Sequence, residues 1–300
     1  MVYEKSEQSE YWAKPKALQF LLARLEEEGR TYDVYVVLDA DNVADPSFCR
    51  ELSRAFDRGF HAVQGRREAR KLSESWVTDL ATVSEMATLT ELAGRDRLGL
   101  SSYLRGSAMG FTAELLDRIG GVPQCADDAI GFQAMCAVCG FRIGWCPSAI
   151  VLDEQVSSYQ HLSGQRWRWF WIGSHTVPRL ALRLFVNTLR SPTLHKIEQV
   201  LYLFRTQIPH SMLIVGSLVL LVVAVVRPTW VWPRWVWGGL LAGYGTHIVL
   251  VLCRNRASPR ACLSLLLAPL FVLTYVWILV SVLFGKRGAR GKTEHRGRPC

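Results

Sequence analysis

The residues most able to do chemistry are acidic and come in two close pairs. Tyr35-Val36-Val37-Leu38-Asp39-Ala40-Asp41 sets two carboxylates at the end of a short apolar run. Open α/β sheets bind ligands at that end of a strand. Two oxygen-rich side chains there suit Mg2+ or Mn2+, hard cations that take oxygen ligands and bridge to phosphate. Such an ion neutralises charge on a departing diphosphate. The same pair also suits two solvated turn aspartates, with Asn42 and Asp45 completing a polar loop.

The second pair, Asp127-Asp128, precedes the helical stretch Ala129 to Val138. Acids at a helix N-terminus are ordinary caps that favour the dipole. A carboxylate in that place can also take the proton of an attacking hydroxyl, which is a poor nucleophile unaided. A third signal is Gln165-Arg166-Trp167-Arg168-Trp169, which stands before a series of apolar runs. Arg and Trp in such a stretch can anchor a helix in a headgroup layer.

The elements that must position these groups alternate. Residues 15–28 have helical spacing and end at Gly29; Tyr32 to Leu38 reads as a buried strand. Pro46 to Phe56 starts a helix, His61 to Gly65 is a strand, and 74–98 suits one or two helices. Gly106 to Thr112 reads as a turn and strand, and Ala113 to Ile119 as a helix stopped by Gly120-Gly121. Asp128 to Val138 is helical, and Phe141 to Trp145 and Ala149 to Leu152 are short strands. This alternation predicts an α/β domain with a mostly parallel sheet and flanking helices.

The remainder is different in kind. Over 166–190, five Arg mingle with Trp, Phe, Leu and Val, the composition of an amphipathic helix lying in a headgroup layer or, alternatively, packed on the soluble domain, with Pro178 expected to kink or break it. Three apolar runs follow at 210–226, 235–252 and 261–284, flanked by Trp230, Trp232 and Trp235. A crossing needs about 20 apolar residues. The reading is a catalytic domain over 1–160, interfacial helices over 161–207, a transmembrane region over 208–285 and a basic tail over 286–300. Three crossings from a cytoplasmic domain would put that tail outside, against the positive-inside rule.

The net charge of +9 is concentrated in these last regions, with six Lys or Arg against one Glu from Lys286 onward. Basic residues beside apolar runs face anionic lipid rather than nucleic acid. The eight Cys are scattered. Cys136-x-x-Cys139 has no second pair to complete a zinc site, and no disulfide framework is implied, as expected of a cytosolic face. Met1 to Lys16 is polar and charged and carries no signal peptide.

In this order the motifs resemble those of the processive family-2 glycosyltransferases, the group of cellulose, chitin, hyaluronan and poly-N-acetylglucosamine synthases. The resemblance covers residues 13–175, and the apolar runs in kind. The family's GKxxAL helix is similar to Ala13-Lys14-Pro15-Lys16-Ala17-Leu18, its DxD to Asp39-Ala40-Asp41, and its glycine-containing acceptor loop to Gly106-Ser107-Ala108-Met109-Gly110-Phe111. Its TED motif is loosely similar to Ala126-Asp127-Asp128, and its QxxRW is kept in full at Gln165, Arg168 and Trp169.

The resemblance implies a GT-A-type domain that transfers sugar with inversion from a nucleotide donor, a UDP-sugar, to a growing glycan. Asp41 would hold the metal, Mg2+ or Mn2+, with Asp39 and Lys14 near the nucleotide. Asp128 would be the base, and Asp127, Gly106, Ser107, Gln165, Arg168 and Trp169 would contact substrate. The implied place is the inner or plasma membrane, with the catalytic domain cytoplasmic. An oligomer or a secretion partner would supply a pore that three spans alone do not make.

Family members open with strands that hold the nucleotide, and these are expected to be missing ahead of Lys14. Poor nucleotide-sugar binding by this chain alone follows, as does the alternative of an inactive homologue kept as a membrane interaction subunit. Val36 to Val43 also satisfies the hhhhDxDx[TV] pattern of haloacid-dehalogenase-like phosphatases, with Asp39 as nucleophile. That scheme leaves QxxRW and the apolar runs without a role.

Overall fold

The computed structural model describes residues 14–70, 75–123, 125, 128–154, 156, 158–206 and 210–269, together with 274, 276–278 and 281. These form two compact units. One takes in the chain up to Glu68, Leu92–Asp153 and Ile172–Phe204; the other takes in Ala69–Glu91, Glu154–Trp171 and the described residues from Arg205 onward.

The first unit is built on a five-stranded sheet of order β1-β4-β3-β5-β2. Its strands are β1 (Val34–Val37), β2 (Val43–Ala44), β3 (Ala62–Ala69), β4 (Met109–Thr112) and β5 (Ile143–Asp153). Period-2 burial assigns its faces. On one side Val37, Ala62, Met109, Phe111 and Ile143 form a core with α4 (Ala113–Ile119) and α5 (Asp128–Val138), and Leu18 and Leu22 of α1 (Lys14–Glu27) pack against it. Phe111 stacks on Phe132 of α5 with ring centroids 4.2 Å apart. On the other side Val63, Ala108, Ala149 and Val151 meet Phe48, Leu52 and Ala55 of α2 (Phe48–Asp57). Cys136 is buried in the first core, where burial pushes its thiol pKa up and keeps it neutral.

The expectation of a mostly parallel sheet is wrong. Each ladder with a defined register, β1–β4, β3–β4 and β2–β5, is antiparallel, and the sheet is mixed. Helices between strands read as crossovers, but α3 (Trp76–Arg97) is not one. Its residues up to Glu91 belong to the second unit, and the chain returns to the sheet through an extended stretch at 100–104. The two short strands expected at 141–152 are one strand, β5, which runs through the exposed Pro147-Ser148.

A third cluster extends α5. Ala134 and Ala137 meet Val177, Ala181 and Leu184 of α6 (Tyr159–Arg190) and Val200 and Leu203 of α7 (Leu194–Thr206). The expected break at Pro178 does not occur: α6 is helical through it. Val177 and Ala181 on either side are buried in that cluster, so packing offsets the missing N–H. In α7, His195 Nε2 lies 3.2 Å from the Phe141 carbonyl.

In the second unit α8 (His210–Val226) packs on α9 (Arg234–Arg254). Among the described residues α9 alone is long and apolar enough to cross a membrane. Its 21 residues span about 31 Å, the thickness of a hydrocarbon core. The 210–226 run is a shorter apolar helix, and of the 261–284 run only α10 (Pro259–Ser264), the 3-10 turn Leu265–Leu267 and a few later residues are described. Glu91 pairs with Arg205 at 2.8 Å, and Asn255 donates to Thr90 Oγ1 at 3.0 Å.

Three stability predictions follow from these contacts. A Cβ on Gly65 of β3 would stand 2.9 Å from the Ala149 carbonyl oxygen and 3.2 Å from that of Ala108. Both obstacles are backbone, so Gly65→Ala should destabilise by about 1–3 kcal/mol. Gly94 in α3 has open space around its missing Cβ, and Gly94→Ala should stabilise by about 0.5–1 kcal/mol. Urea titrations of the two variants should therefore shift in opposite directions. Burial lowers the His195 pKa from 6.5, with the Phe141 bond opposing it. Its stabilising contribution is full above pH 6.5 and is lost as pH falls through the lower folded value. The wild-type melting temperature should thus drop more between pH 7 and pH 5 than that of His195→Gln.

Candidate active site

β1 ends at Val37 and the chain turns, with Asn42 N–H donating to the Asp39 carbonyl at 3.0 Å. The turn puts Asp39 and Asp41 together at the C-terminal end of the strand. Two like charges this close need separate counterparts, and each has one. The Asp39 carboxylate is met by Lys14 Nζ at 2.5 Å. The same ammonium donates to the Gly106 carbonyl. Asp41 Oδ1 accepts from the Asn42 side-chain amide at 3.3 Å.

The stretch before β4 closes the other side. Gly106 has φ +80 and Ala108 has φ +53, so the backbone passes through the left-handed region on both sides of Ser107. This presents the Gly106 carbonyl to Lys14 and the fully buried Ser107 to the β1 turn. Ser107 Oγ accepts from Asp39 N–H at 3.1 Å and donates to Asn42 Oδ1. Lys14, Asp39, Gly106 and Ser107, four groups expected at the site from sequence, are thus joined directly.

Four further residues of the site escaped the sequence reading: Asn42 as more than a loop residue, Gln64, Arg67 and Asp153. Gln64 is buried on β3; its amide donates to the Ser107 carbonyl at 2.9 Å and accepts from Arg105 N–H at 2.9 Å. Arg67 donates to the Arg105 carbonyl at 2.8 Å and pairs with Asp153, whose side chain is 9% exposed. Asp153 also accepts from the Asn42 amide at 3.2 Å. The signal for Asp153 was in the sequence: it follows the apolar run Ala149 to Leu152, as Asp39 follows Tyr35 to Leu38.

The other expected residues stand as follows. Asp128 is the first residue of α5, so its backbone is at the N-terminus of a helix whose next turns are in the main core. Asp127 lies outside the described residues. Gln165, Arg168 and Trp169 lie within about one turn of each other on the part of α6 that belongs to the second unit, where Trp169 is 55% exposed.

Comparison with known proteins adds the following. A family model described as "Glycosyltransferase like family 2" matches residues 17–171. No curated protein matches the chain. Among solved structures, the mannosyltransferase PcManGT from Pyrobaculum calidifontis, in complex with GDP-Man and Mn2+, aligns over 95% of this chain and 70% of its own, at 17% identity and a TM-score of 0.48. The family match takes in β1 with its two aspartates, the Gly106-Ser107 stretch, Asp128 and the QxxRW segment. Because it spans just over half of the 300 residues, the chain belongs to the glycosyltransferase family-2-like proteins.

Proposed function

We propose that this chain is a membrane-associated, inverting glycosyltransferase. It moves a sugar from a nucleotide donor, a UDP-sugar, to a growing glycan, in the manner of the processive synthases. The observation that carries this reading is the pair of aspartates at the end of β1, each with a hydrogen-bonding partner, in a turn held by Ser107 through Asp39 N–H and Asn42. The phosphatase scheme leaves the QxxRW segment and the apolar helices without a role.

The donor set fits a divalent ion shared with substrate. Among the described residues no three His, Cys, Asp or Glu side chains converge on one point, so no all-protein cage is built. Mg2+ and similar ions are commonly held by one or two carboxylates together with substrate phosphates and water. Asp41 would be the protein ligand, and the ion would supply charge neutralisation for the leaving diphosphate. Lys14 adds a fixed positive charge beside Asp39 at the same strand end.

In the transfer, the acceptor hydroxyl oxygen bonds to the anomeric carbon as the bond to the diphosphate breaks. The hydroxyl proton passes to Asp128, and the diphosphate leaves with the bonding electrons. Asp128 at the start of α5 suits this task in sequence order and in chemistry. Gln165, Arg168 and Trp169 would contact the acceptor and diphosphate.

The membrane part of the reading has two supports. In the second unit, α9 has the length and apolarity of a span. In the first unit, α6 and α7 bury one face each and leave Leu182, Phe185, Leu189, Leu194, Leu201 and Phe204 exposed. Arg179, Arg183 and Arg190 line one stripe of α6 beside that apolar surface, where headgroup phosphates would sit. The catalytic unit would face the cytoplasm.

Membranes containing the full chain, incubated with a panel of radiolabelled UDP-sugars and Mn2+, test the reading. One sugar should enter polymer. Asp128→Asn should lower that rate by about 10²–10⁴-fold and leave nucleotide binding intact. Near-normal turnover in Asp128→Asn would remove the base assignment, and no incorporation from any donor would remove the reading itself.

A further inference from the structure

Asn42 uses its whole hydrogen-bonding capacity. Oδ1 accepts from the Asp39 N–H at 3.1 Å and from Ser107 Oγ. Nδ2 donates to Asp41 at 3.3 Å and to Asp153 at 3.2 Å. A side-chain amide has two donors and two acceptor sites, and all four are engaged. Its orientation is fixed twice over. A backbone N–H can only donate, so the Asp39 side must be oxygen. An ionised carboxylate can only accept, so the Asp153 side must be nitrogen.

The fixed point behind Asn42 is Asp153. It ends β5, which pairs with β2 in the register Val43↔Leu152 and Ala44↔Val151, so it lies beside the residue before β2. Its other oxygen pairs with Arg67 of β3, which in turn holds the Arg105 carbonyl. Charge on both partners makes this the strongest kind of hydrogen bond available to the site. The chain of contacts therefore runs from the sheet, through Arg67, Asp153 and Asn42, to one carboxylate oxygen of Asp41.

We propose that Asn42, anchored by the Arg67–Asp153 ion pair, is the positioning residue for the metal-binding carboxylate Asp41, setting the affinity of the site for a divalent cation. The inference rests on the proposed use of Asp41 as the metal ligand. A turn carboxylate on its own samples several rotamers, and binding a cation must select one. The Asn42 amide favours one of them before the cation arrives. A wrong amide orientation would place its oxygen against Asp41, so the Asp153 charge also guards against a repulsive arrangement.

The test titrates Mn2+ into the full chain in detergent with UDP present, reading unbound Mn2+ from its paramagnetic resonance signal. Wild type should saturate, and Asn42→Ala should raise the half-saturating Mn2+ concentration about tenfold. Asp153→Asn, which keeps the shape but removes the charge that orients the amide, should raise it about threefold. Tryptophan-fluorescence melts of the same samples separate positioning from folding. A lowered melting temperature with unchanged Mn2+ affinity overturns the proposal, and so does wild-type affinity in Asn42→Ala. If Asn42→Ala does not fold, Asp153→Asn decides by the same criterion. Absence of Mn2+ binding to wild type with UDP contradicts the metal-dependent function itself, before any variant is compared.

Discussion

Two carboxylates within three residues at the end of a strand repel each other, and the site is organised around that repulsion. Each acid is met by a donor that the turn or a neighbouring element supplies. Asp39 receives a full positive charge from Lys14, and Asp41 receives a neutral amide from Asn42. The Lys14 contact also pins the first turn of α1 to the sheet end and to the Gly106 carbonyl, so one ammonium closes three segments distant in sequence.

The same economy holds for the buried polar layer beneath. Ser107, Gln64, Arg67 and Asp153 are all largely buried, and polar groups removed from water must find partners. Apart from the Arg67 Nε, they find them in one another and in the backbone that leads into β4. The left-handed residues Gly106 and Ala108 make this geometry accessible. The result is a stretch whose hydroxyl meets the β1 turn while its carbonyls accept from Lys14, Gln64 and Arg67, with the flat apolar faces of β4 used to hold it: Met109 and Phe111 in one core, Gly110 against Phe56 and Leu52 in the other.

How far this was readable from the sequence depends on whether the signal is local. The bounds of α4 and α5 were legible because their punctuation is local. Thr112 caps α4 by accepting from Leu115 N–H, Gly120 ends it at φ +80, and Gly140 follows α5. The end of β1 was legible because an apolar run stopped at Asp39. Strand direction was not legible, since a period of two is the same in both directions, and a mixed sheet was read as mostly parallel. Asp153 had a local signal, the end of an apolar run, but its pairing with Asn42 was not legible because the two are separated by 111 residues, and Arg67 had no local signal at all. The helix through Pro178 was missed because burial of Val177 and Ala181 is a tertiary effect that propensity does not contain.

The central claim is that Asp41, not Asp39, is the cation's protein ligand. Anomalous scattering from crystals of the full chain grown with Mn2+ and UDP tests it most directly. A manganese peak within about 2.5 Å of the Asp41 carboxylate, with Lys14 still on Asp39, is the result this account predicts. A peak on Asp39 with Lys14 displaced, or one remote from both aspartates, would contradict it.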